Sequence, residues 1–358
     1  MSYQVEIKRR KTRVVNVGNV LVGGENPVTI QSMTNTKTTD IKGTLEQIQR
    51  CYNAGVDIMR VSVPDVDSAK AFKEIAKESP VPLVADIHFH HMRGIEAAQN
   101  GAKCLRINPG TIGKKEHALD IIKAAKDYGC AIRIGVNIGS LEEEFLEKYN
   151  HKPCADAMVD SAMQAVKILE DNDFFNFKIS VKASDVLTMN EAYIKLAKLC
   201  DYPFHLGVTE AGPLESGIVK SAMGIGSLLM AGIGDTIRIS LSADVVHEVQ
   251  TGWRILKGLG IRSRGVNIVS CPSCARQQFD VISLVSQIEK ATESISKPIR
   301  ISILGCVVNG LGEARESDIG ITGAGSGNHL IYVKGEPKYK AKSEELFHKI
   351  MEVMQEVL

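Results

Sequence analysis

Short apolar runs of strand length alternate with longer amphipathic stretches eight times before residue 260. The runs lie at 28–33, 58–63, 81–87, 104–109, 131–137, 177–183, 204–210 and 236–242. Between them, stretches such as 45–54, 69–77, 115–128, 155–171, 191–199 and 245–257 carry apolar residues three and four apart, the period of a helix with one buried face. Eight strand-helix units in about 250 residues are what a TIM barrel needs. An open doubly wound sheet is the rival, but it carries a glycine fingerprint after its first strand, and no Gly-x-Gly-x-x-Gly follows 28–33. The expected fold class is therefore α/β, a TIM (β/α)8 barrel over 1–260 followed by a small α+β domain over 266–358. In the small domain the pattern predicts strands at 266–269, 299–304 and 330–333, with helices at 277–289 and 343–357.

Charged residues inside the strands turn this scaffold into a candidate site. Met59-Arg60-Val61, Leu105-Arg106-Ile107, Ile132-Arg133-Ile134 and Ile237-Arg238-Ile239 each set an arginine in an apolar strand. A guanidinium taken out of water costs several kcal/mol unless an anion answers it. Strand alternation puts Arg106 with Asn108, Arg60 with Ser62, and Arg133 with Asn137 on common faces. With Lys182 these make five cations against the strand-end acids Asp86 and Glu210, a surplus of three. A diphosphate balances such a surplus, and arginine forks match phosphate oxygens. At least one of the four arginines is expected to face the helix shell and pair with a carboxylate there.

Other strand-end side chains add groups for proton transfer and hydrogen bonding. Asp86 and His88 share a face at the end of the third strand, whereas His90 and His91 fall past it and read as loop residues rather than metal ligands. Glu210 ends the seventh strand, at the rim where barrel enzymes keep catalytic groups, as a proton donor or acceptor and as a buried partner for a nearby cation. Ser184, Thr209 and Ser240 stand at comparable strand ends. The glycine-rich segment 217–234 ahead of the eighth strand is read as a loop of the kind whose amides cradle phosphate. Gly323-Ala324-Gly325-Ser326-Gly327 reads as a turn between two strands of the small domain.

Three cysteines and a glutamate carry the chemistry of that small domain. In Cys271-Pro272-Ser273-Cys274, two intervening residues bring both sulfurs onto one metal or one cluster face. Cys306 follows the apolar run 299–304, delivered by the end of a strand, and no cysteine comes after it. A cubane iron–sulfur cluster normally takes four thiolates, so three leave one iron to an oxygen ligand or to a substrate. Glu313, in Gly305-Cys306-Val307-Val308-Asn309-Gly310-Leu311-Gly312-Glu313, is the oxygen ligand at hand. A structural zinc is the alternative and would want a fourth Cys or His close by; His329, the nearest downstream histidine, precedes an apolar run where a strand histidine is packed. A redox disulfide is the other alternative, and it needs no third thiol.

Composition narrows the function classes. A net charge of +1 over 358 residues lacks the electrostatic footprint of a nucleic-acid or anionic-membrane binder. The basic run 8–13 reads as a solvated edge. No stretch of eighteen apolar residues occurs, and Met1-Ser2-Tyr3-Gln4 has no apolar leader core, so a cytoplasmic location is expected. Cys51, Cys104, Cys130, Cys154 and Cys200 are scattered like buried small hydrophobes in a reducing compartment. No flavin or nicotinamide motif is present, so electrons for a cluster come from an outside donor.

Asp86-Ile87-His88-Phe89, Leu105-Arg106-Ile107-Asn108-Pro109-Gly110, Gly135-Val136-Asn137 and Gly207-Val208-Thr209-Glu210-Ala211-Gly212, followed by the two cysteine motifs, closely resemble the bacterial 4-hydroxy-3-methylbut-2-enyl diphosphate synthase family over essentially the whole chain. The resemblance is to the two-domain bacterial form, without the large insert of plant-type members. It implies reductive ring opening and dehydration of 2-C-methyl-D-erythritol 2,4-cyclodiphosphate in the non-mevalonate isoprenoid route, with electrons from flavodoxin or ferredoxin. It also implies a 4Fe–4S cluster on Cys271, Cys274, Cys306 and Glu313, a diphosphate held by Arg60, Arg106 and Lys182, Glu210 as the acid–base residue, and Asn309 as a substrate contact. Two other readings explain parts of the pattern: a phosphate-handling barrel with a zinc-stapled appendage, akin to enzymes of pteroate synthesis, and a non-catalytic iron–sulfur sensor of a phosphorylated metabolite.

Connectivity adds an expectation about assembly. The eighth barrel helix returns the chain to the face opposite the mouth, and the linker 258–264 spans at most about 25 Å when extended. The cluster domain is therefore expected to cap the barrel of a second subunit, in a two-fold homodimer with two shared sites.

Overall fold

The structure, a computed structural model, describes residues 6–112, 115–325 and 327–358; Met1–Gln4 and Ser326 of the glycine turn lie outside them. It divides into two compact units, Met1–Arg262 and Ser263–Leu358.

The first unit opens with a hairpin of β1 (Val14–Val17) and β2 (Val20–Gly23). Eight parallel strands follow: β3 (Thr29–Met33), β4 (Ile58–Ser62), β5 (Leu83–Asp86), β6 (Cys104–Ile107), β7 (Ala131–Asn137), β8 (Phe177–Lys182), β9 (His205–Leu206) and β10 (Thr236–Ile237). Their order is β8-β7-β6-β5-β4-β3-β10-β9, and a bridge from Ile179 to Phe204 links β8 back to β9, making a nearly closed TIM barrel. Outward residues such as Ile30, Met59, Val61, Leu105, Ile132, Ile134, Ile179 and Val181 pack into one apolar core with the surrounding helices. Below the mouth, Ile58, Val84, Cys104 and Ala131, near the N-terminal ends of their strands, pack on Val15, Val17 and Val22 of the hairpin, which floors the barrel. Between floor and mouth the lining is polar and charged, the reverse of the branched apolar layers that fill most such barrels.

Four segments of this unit differ from the sequence expectation. β9 and β10 are two residues each, shorter than 204–210 and 236–242, and the chain beyond them turns into the mouth. The segment 217–234 is not a loop: residues Leu214–Met230 form a helix, and its glycines serve packing. A Cβ at Gly217 would come 2.5 Å from Leu241 Cδ2, and one at Gly224 would come 2.7 Å from Val208 Cγ2. The basic run is not a solvated edge either, because acids and carbonyls ahead of β9 and β10 answer it. Arg9 pairs with Asp235 at 3.0 Å and Arg13 with Asp201 at 2.7 Å, while Arg10 lies 4.1 Å over the Phe204 ring and donates to the Cys200 and Tyr202 carbonyls.

The unit ends after the helix Val245–Gly258. Arg262 Nη1 is 2.7 Å from Asp57 Oδ2 and donates to the Val28 carbonyl at 2.9 Å, and its guanidinium lies 4.5 Å from the Trp253 ring. Asp57 and Val28 immediately precede β4 and β3, so the chain leaves this unit at the N-terminal end of the barrel.

The second unit is a five-stranded mixed sheet in sequence order: β11 (Val266–Ser270), β12 (Ile299–Leu304), β13 (Ile319–Gly323), β14 (Asn328–Val333) and β15 (Glu336–Lys342). The first three are mutually parallel and the last two antiparallel to their neighbours. Helices Val281–Ala291 and Leu346–Val357 share an apolar core with Ile301, Ile303, Ile321 and Ile331 on one face. A third helix, Val307–Arg315, lies close on β13, where a Cβ at Gly320 would meet Ala314 Cα at 2.5 Å.

Candidate active site

Alternation along the strands puts a charged set inside the barrel toward its C-terminal end. Register places Asp86 beside Arg106, Arg106 beside Arg133, and Asn137 beside Lys182 on successive strands. Asp86 is the hub: its Oδ1 lies 3.2 Å from Arg106 Nη1 and 3.8 Å from Arg60 Nη1, and its Oδ2 lies 3.6 Å from His88 Nε2. Burial alone would raise this carboxyl's pKa, but Arg60, the His88 hydrogen bond and Arg106 together hold it well below the usual carboxylate range. Asp86 is thus a fixed negative charge rather than a proton donor. His88 is set by Thr111 Oγ1, 3.2 Å from its Nδ1, and touches Arg106 through Nε2.

Glycines make room for the cations. A Cβ at Gly135 would stand 2.6 Å from Arg106 Nε, and one at Gly207 would stand 2.5 Å from both Lys182 Nζ and the Arg238 carbonyl. Arg106 Nη2 donates to the Gly135 carbonyl at 3.2 Å. Asn137, oriented so that both halves of its amide are satisfied, accepts from the same nitrogen at 3.3 Å. Asn108 is committed to the loop beyond its strand, donating to Ser140 Oγ at 2.8 Å and accepting from Gly110 N at 3.1 Å.

Arg238 meets the carboxylate of Glu248 from the helix Val245–Gly258 at 3.3 Å, so one of the four arginines is answered by a shell helix. Arg133 Nε and Nη1 are buried without a partner among the described residues. Burial first, then Arg60 and Arg106, push the Arg133 pKa well down. Lys182 is lowered in the same way, by burial and then by Arg133, Arg238, Arg60 and Arg106. Burial lowers Arg106 to about 10. These groups repel one another in a low-dielectric lining, and a bound polyanion opposes those shifts.

Glu210 does not take the buried role. It is exposed, in a left-handed turn at φ 52°, and makes no ion pair among the described residues. That backbone region costs a non-glycine residue roughly 1–2 kcal/mol and is typical of functional rims. Thr209 beside it is half-buried, with its amide on the Ala183 carbonyl at 3.2 Å; Ser184 is exposed and Ser240 half-buried. His91 stacks on His117 at 3.9 Å with Asp120 3.6 Å away, and His90 is exposed.

Sequence reasoning missed Glu248 and Lys178. Lys178 lies on β8 opposite Arg133, fully buried, and its Nζ has no hydrogen-bond partner among the described residues. Its alternation with Ser180 and Lys182 was the available signal. Burial lowers its pKa to about 8, with Cys104 opposing and Arg133 adding to the shift. The unfolded chain holds this proton up to about pH 10.4, so the unfolded state binds more protons between about 8 and 10 and stability rises with pH across that window. Below about 8 the penalty is present in full. Lys178→Met is therefore expected to stabilise the protein by about 1–3 kcal/mol at pH 7, a gain that fades toward pH 10. Urea unfolding at both pH values checks it.

In the second unit Cys271 follows β11, Cys306 follows the adjacent parallel β12 as the N-cap of Val307–Arg315, and Cys274 lies in the loop between Cys271 and the next helix. All three are free thiols. Strand pairing sets the first and third side by side: Cys271 N donates to the Ile303 carbonyl at 3.3 Å, and Gly305 N donates to Cys271 Sγ at 3.3 Å. Ser273 takes φ 61°, which turns the loop between the paired cysteines. Glu313, on the same helix as Cys306, pairs with Arg300 at 3.1 Å, and Asn309 is exposed on that helix. His329 is packed, with Phe279 edge-on at 4.8 Å and Ser343 Oγ 2.8 Å from Nε2.

Among the described residues no three His, Cys, Asp or Glu side chains converge on a point as they would for a single metal ion. A cubane cluster takes its ligands at separate corners, so its thiols stand farther apart. Three free thiols, an amide already donating to one sulfur, and a nearby carboxylate fit that group in donor chemistry.

Residues 12–253 match the GcpE TIM-barrel domain and residues 267–356 match the GcpE protein C-terminal domain. The chain belongs to the GcpE family. Similar GcpE relatives include "4-hydroxy-3-methylbut-2-en-1-yl diphosphate synthase (flavodoxin)" of Ruegeria sp. (strain TM1040), 59% identical over 97% of this chain and 92% of that protein. A protein of the same name from Caulobacter vibrioides is 57% identical over 98% of this chain and 91% of its own length. Outside the GcpE family, a solved structure of HPPK-DHPS from Plasmodium falciparum shares the barrel fold, at TM-score 0.51 and 13% identity over 72% of this chain and 50% of that one.

Proposed function

We propose that this chain is a flavodoxin-dependent 4-hydroxy-3-methylbut-2-en-1-yl diphosphate synthase, opening the ring of 2-C-methyl-D-erythritol 2,4-cyclodiphosphate reductively and expelling water. The observation that carries the reading is the barrel lining: among the described residues Arg60, Arg106, Arg133, Lys182 and Arg238 are set against Asp86 and Glu248, a surplus of three positive charges that Lys178 enlarges, for a ligand to meet. The names of its relatives agree. The conversion takes up two electrons and two protons and releases one water.

Arg60, Arg106, Arg133, Lys182 and Arg238 bind the two phosphates, and the unpaired Arg133 nitrogens are donors ready for them. Asp86 and His88 hold Arg106 in place, and Asn108, Asn137, Ser184, Thr209 and Ser240 border the ligand. Glu210, exposed at the rim, moves the proton to the leaving oxygen, since Asp86 stays ionised. Cys271, Cys274, Cys306 and Glu313 would hold a 4Fe–4S cluster, which when bound supplies electrons one at a time and an iron site for the departing oxygen. Asn309, one helical turn past Cys306, reaches the substrate beside it.

We infer that each site is shared by two subunits. The chain leaves the barrel at its N-terminal end, with Arg262 clamped to Asp57, so its second unit caps the mouth of a second copy. The free thiols suit the reducing cytoplasm, and flavodoxin or ferredoxin delivers the electrons.

The test is anaerobic purification followed by turnover. The protein is expected to be brown, with about four irons and four sulfides per chain, and to convert the cyclodiphosphate when given reduced flavodoxin. Colourless protein with stoichiometric zinc, or cluster-loaded protein that binds the cyclodiphosphate without turning it over, overturns the proposal.

A further inference from the structure

Glu313 stands seven residues beyond Cys306, the N-cap of Val307–Arg315. Seven residues turn a helix through about 700°, within about 20° of two full turns, and rise about 10.5 Å. The two positions therefore lie on the same side of the helix, and the tilt of the helical Cβ toward the helix N-terminus inclines Glu313 toward Cys306. In the structure the carboxylate is turned elsewhere: Glu313 Oε2 accepts from Arg300 Nη2 at 3.1 Å. Arg300 is the second residue of β12, at the end of that strand away from Cys306, and its backbone N is fixed on Asp318 Oδ2 at 2.7 Å. The helix thus holds one carboxylate between two places, the thiol end of β12 and the guanidinium end.

We propose that Arg300 is the second station of the Glu313 carboxylate, the group that takes it up whenever it leaves the iron. The proposal rests on the cluster assignment above. The pair is partly open to solvent, with the two side chains 45% and 40% exposed. An ion pair of that kind shifts an equilibrium by roughly two- to five-fold, enough to ease ligand exchange without stripping the iron of its oxygen ligand at rest.

A cyanide titration of anaerobic, cluster-loaded, full-length protein tests this, read from the EPR signal of the reduced cluster with no substrate present. Cyanide and Glu313 compete for the same iron, so loss of Arg300 leaves the carboxylate on the metal for longer. Arg300→Leu is expected to weaken cyanide binding about two- to five-fold, with Arg300→Lys closer to wild type. In a Glu313→Ala background, Arg300→Leu is expected to change nothing further. Unchanged or tighter cyanide binding in Arg300→Leu overturns the proposal and leaves the cluster reading standing. A further effect in the Glu313→Ala background also overturns it, because Arg300 would then be acting on the cluster directly. Protein free of iron and sulfide overturns the cluster reading itself.

Discussion

Cys306→Ala and Glu210→Ala subunits, each nearly inactive alone, are expected to regain about one quarter of wild-type turnover when co-assembled at equal dose. On the proposed assignments, Cys306→Ala would remove one of three cluster thiolates and with it the electron path, while loss of the proton-transfer group would cost about 10²–10⁴ in rate. If the second unit of one chain caps the barrel of another, a mixed dimer has one site with both parts intact. Random pairing makes about half the dimers mixed, each with one working site of two, hence about a quarter. Steady-state turnover of the co-expressed pair, each subunit carrying a different tag, measures this directly. No recovery in isolated mixed dimers would mean that each site is built from a single chain.

The second large effect is expected at Arg106. Its guanidinium reaches Asp86, the Gly135 carbonyl and Asn137, so leucine there leaves a buried carboxylate under-compensated, with Arg60 and His88 still beside it, as well as removing a proposed phosphate donor. Breaking one partner of a buried ion pair costs about 3–5 kcal/mol, and kcat/KM is expected to fall at least about 10²-fold. Adding Asp86→Asn removes that charge, so the double variant should recover part of the lost stability without recovering activity. Urea melts of the four proteins decide it, and strict additivity would show that the two groups are uncoupled. Asp86 has a depressed pKa in the folded state, so its contribution is complete above about pH 4 and is lost as pH falls below that. The comparison therefore belongs at pH 6–8.

The barrel was legible because each strand is apolar on its outer face and the repeat never breaks, and the arginine set was legible because charge inside such strands has to be answered. Three features were hidden for identifiable reasons. Residues Leu214–Met230 carry Gly217, Gly224 and Gly226, a composition that mimics a loop although the first two glycines serve close packing. β15, with Pro337, Lys338, Lys340 and Lys342, is a polar edge strand whose side chains guard an open sheet edge, so it lacks an apolar pattern. The position of Glu210 was misjudged because the ladder stops at Leu206, and a carboxylate four residues later is a turn residue rather than a strand-end one. Glu248 replaced it as a charge partner, and a first-turn glutamate on a surface helix gives no sign of that in sequence. The cysteine motifs supplied the candidate ligands, but not that Glu313 would be found on Arg300.

The hairpin under the barrel has a wider consequence. With Val15, Val17 and Val22 wedged against the strand starts, the charged chamber is a cul-de-sac: whatever enters by the upper rim has to depart the same way. An enzyme that seals that rim during chemistry must unseal it once per cycle, and the departing molecule, freed of its ring, carries an extra ionisable phosphate oxygen into a chamber crowded with cations. Product release, rather than bond breaking, is therefore the step that such an architecture is expected to slow.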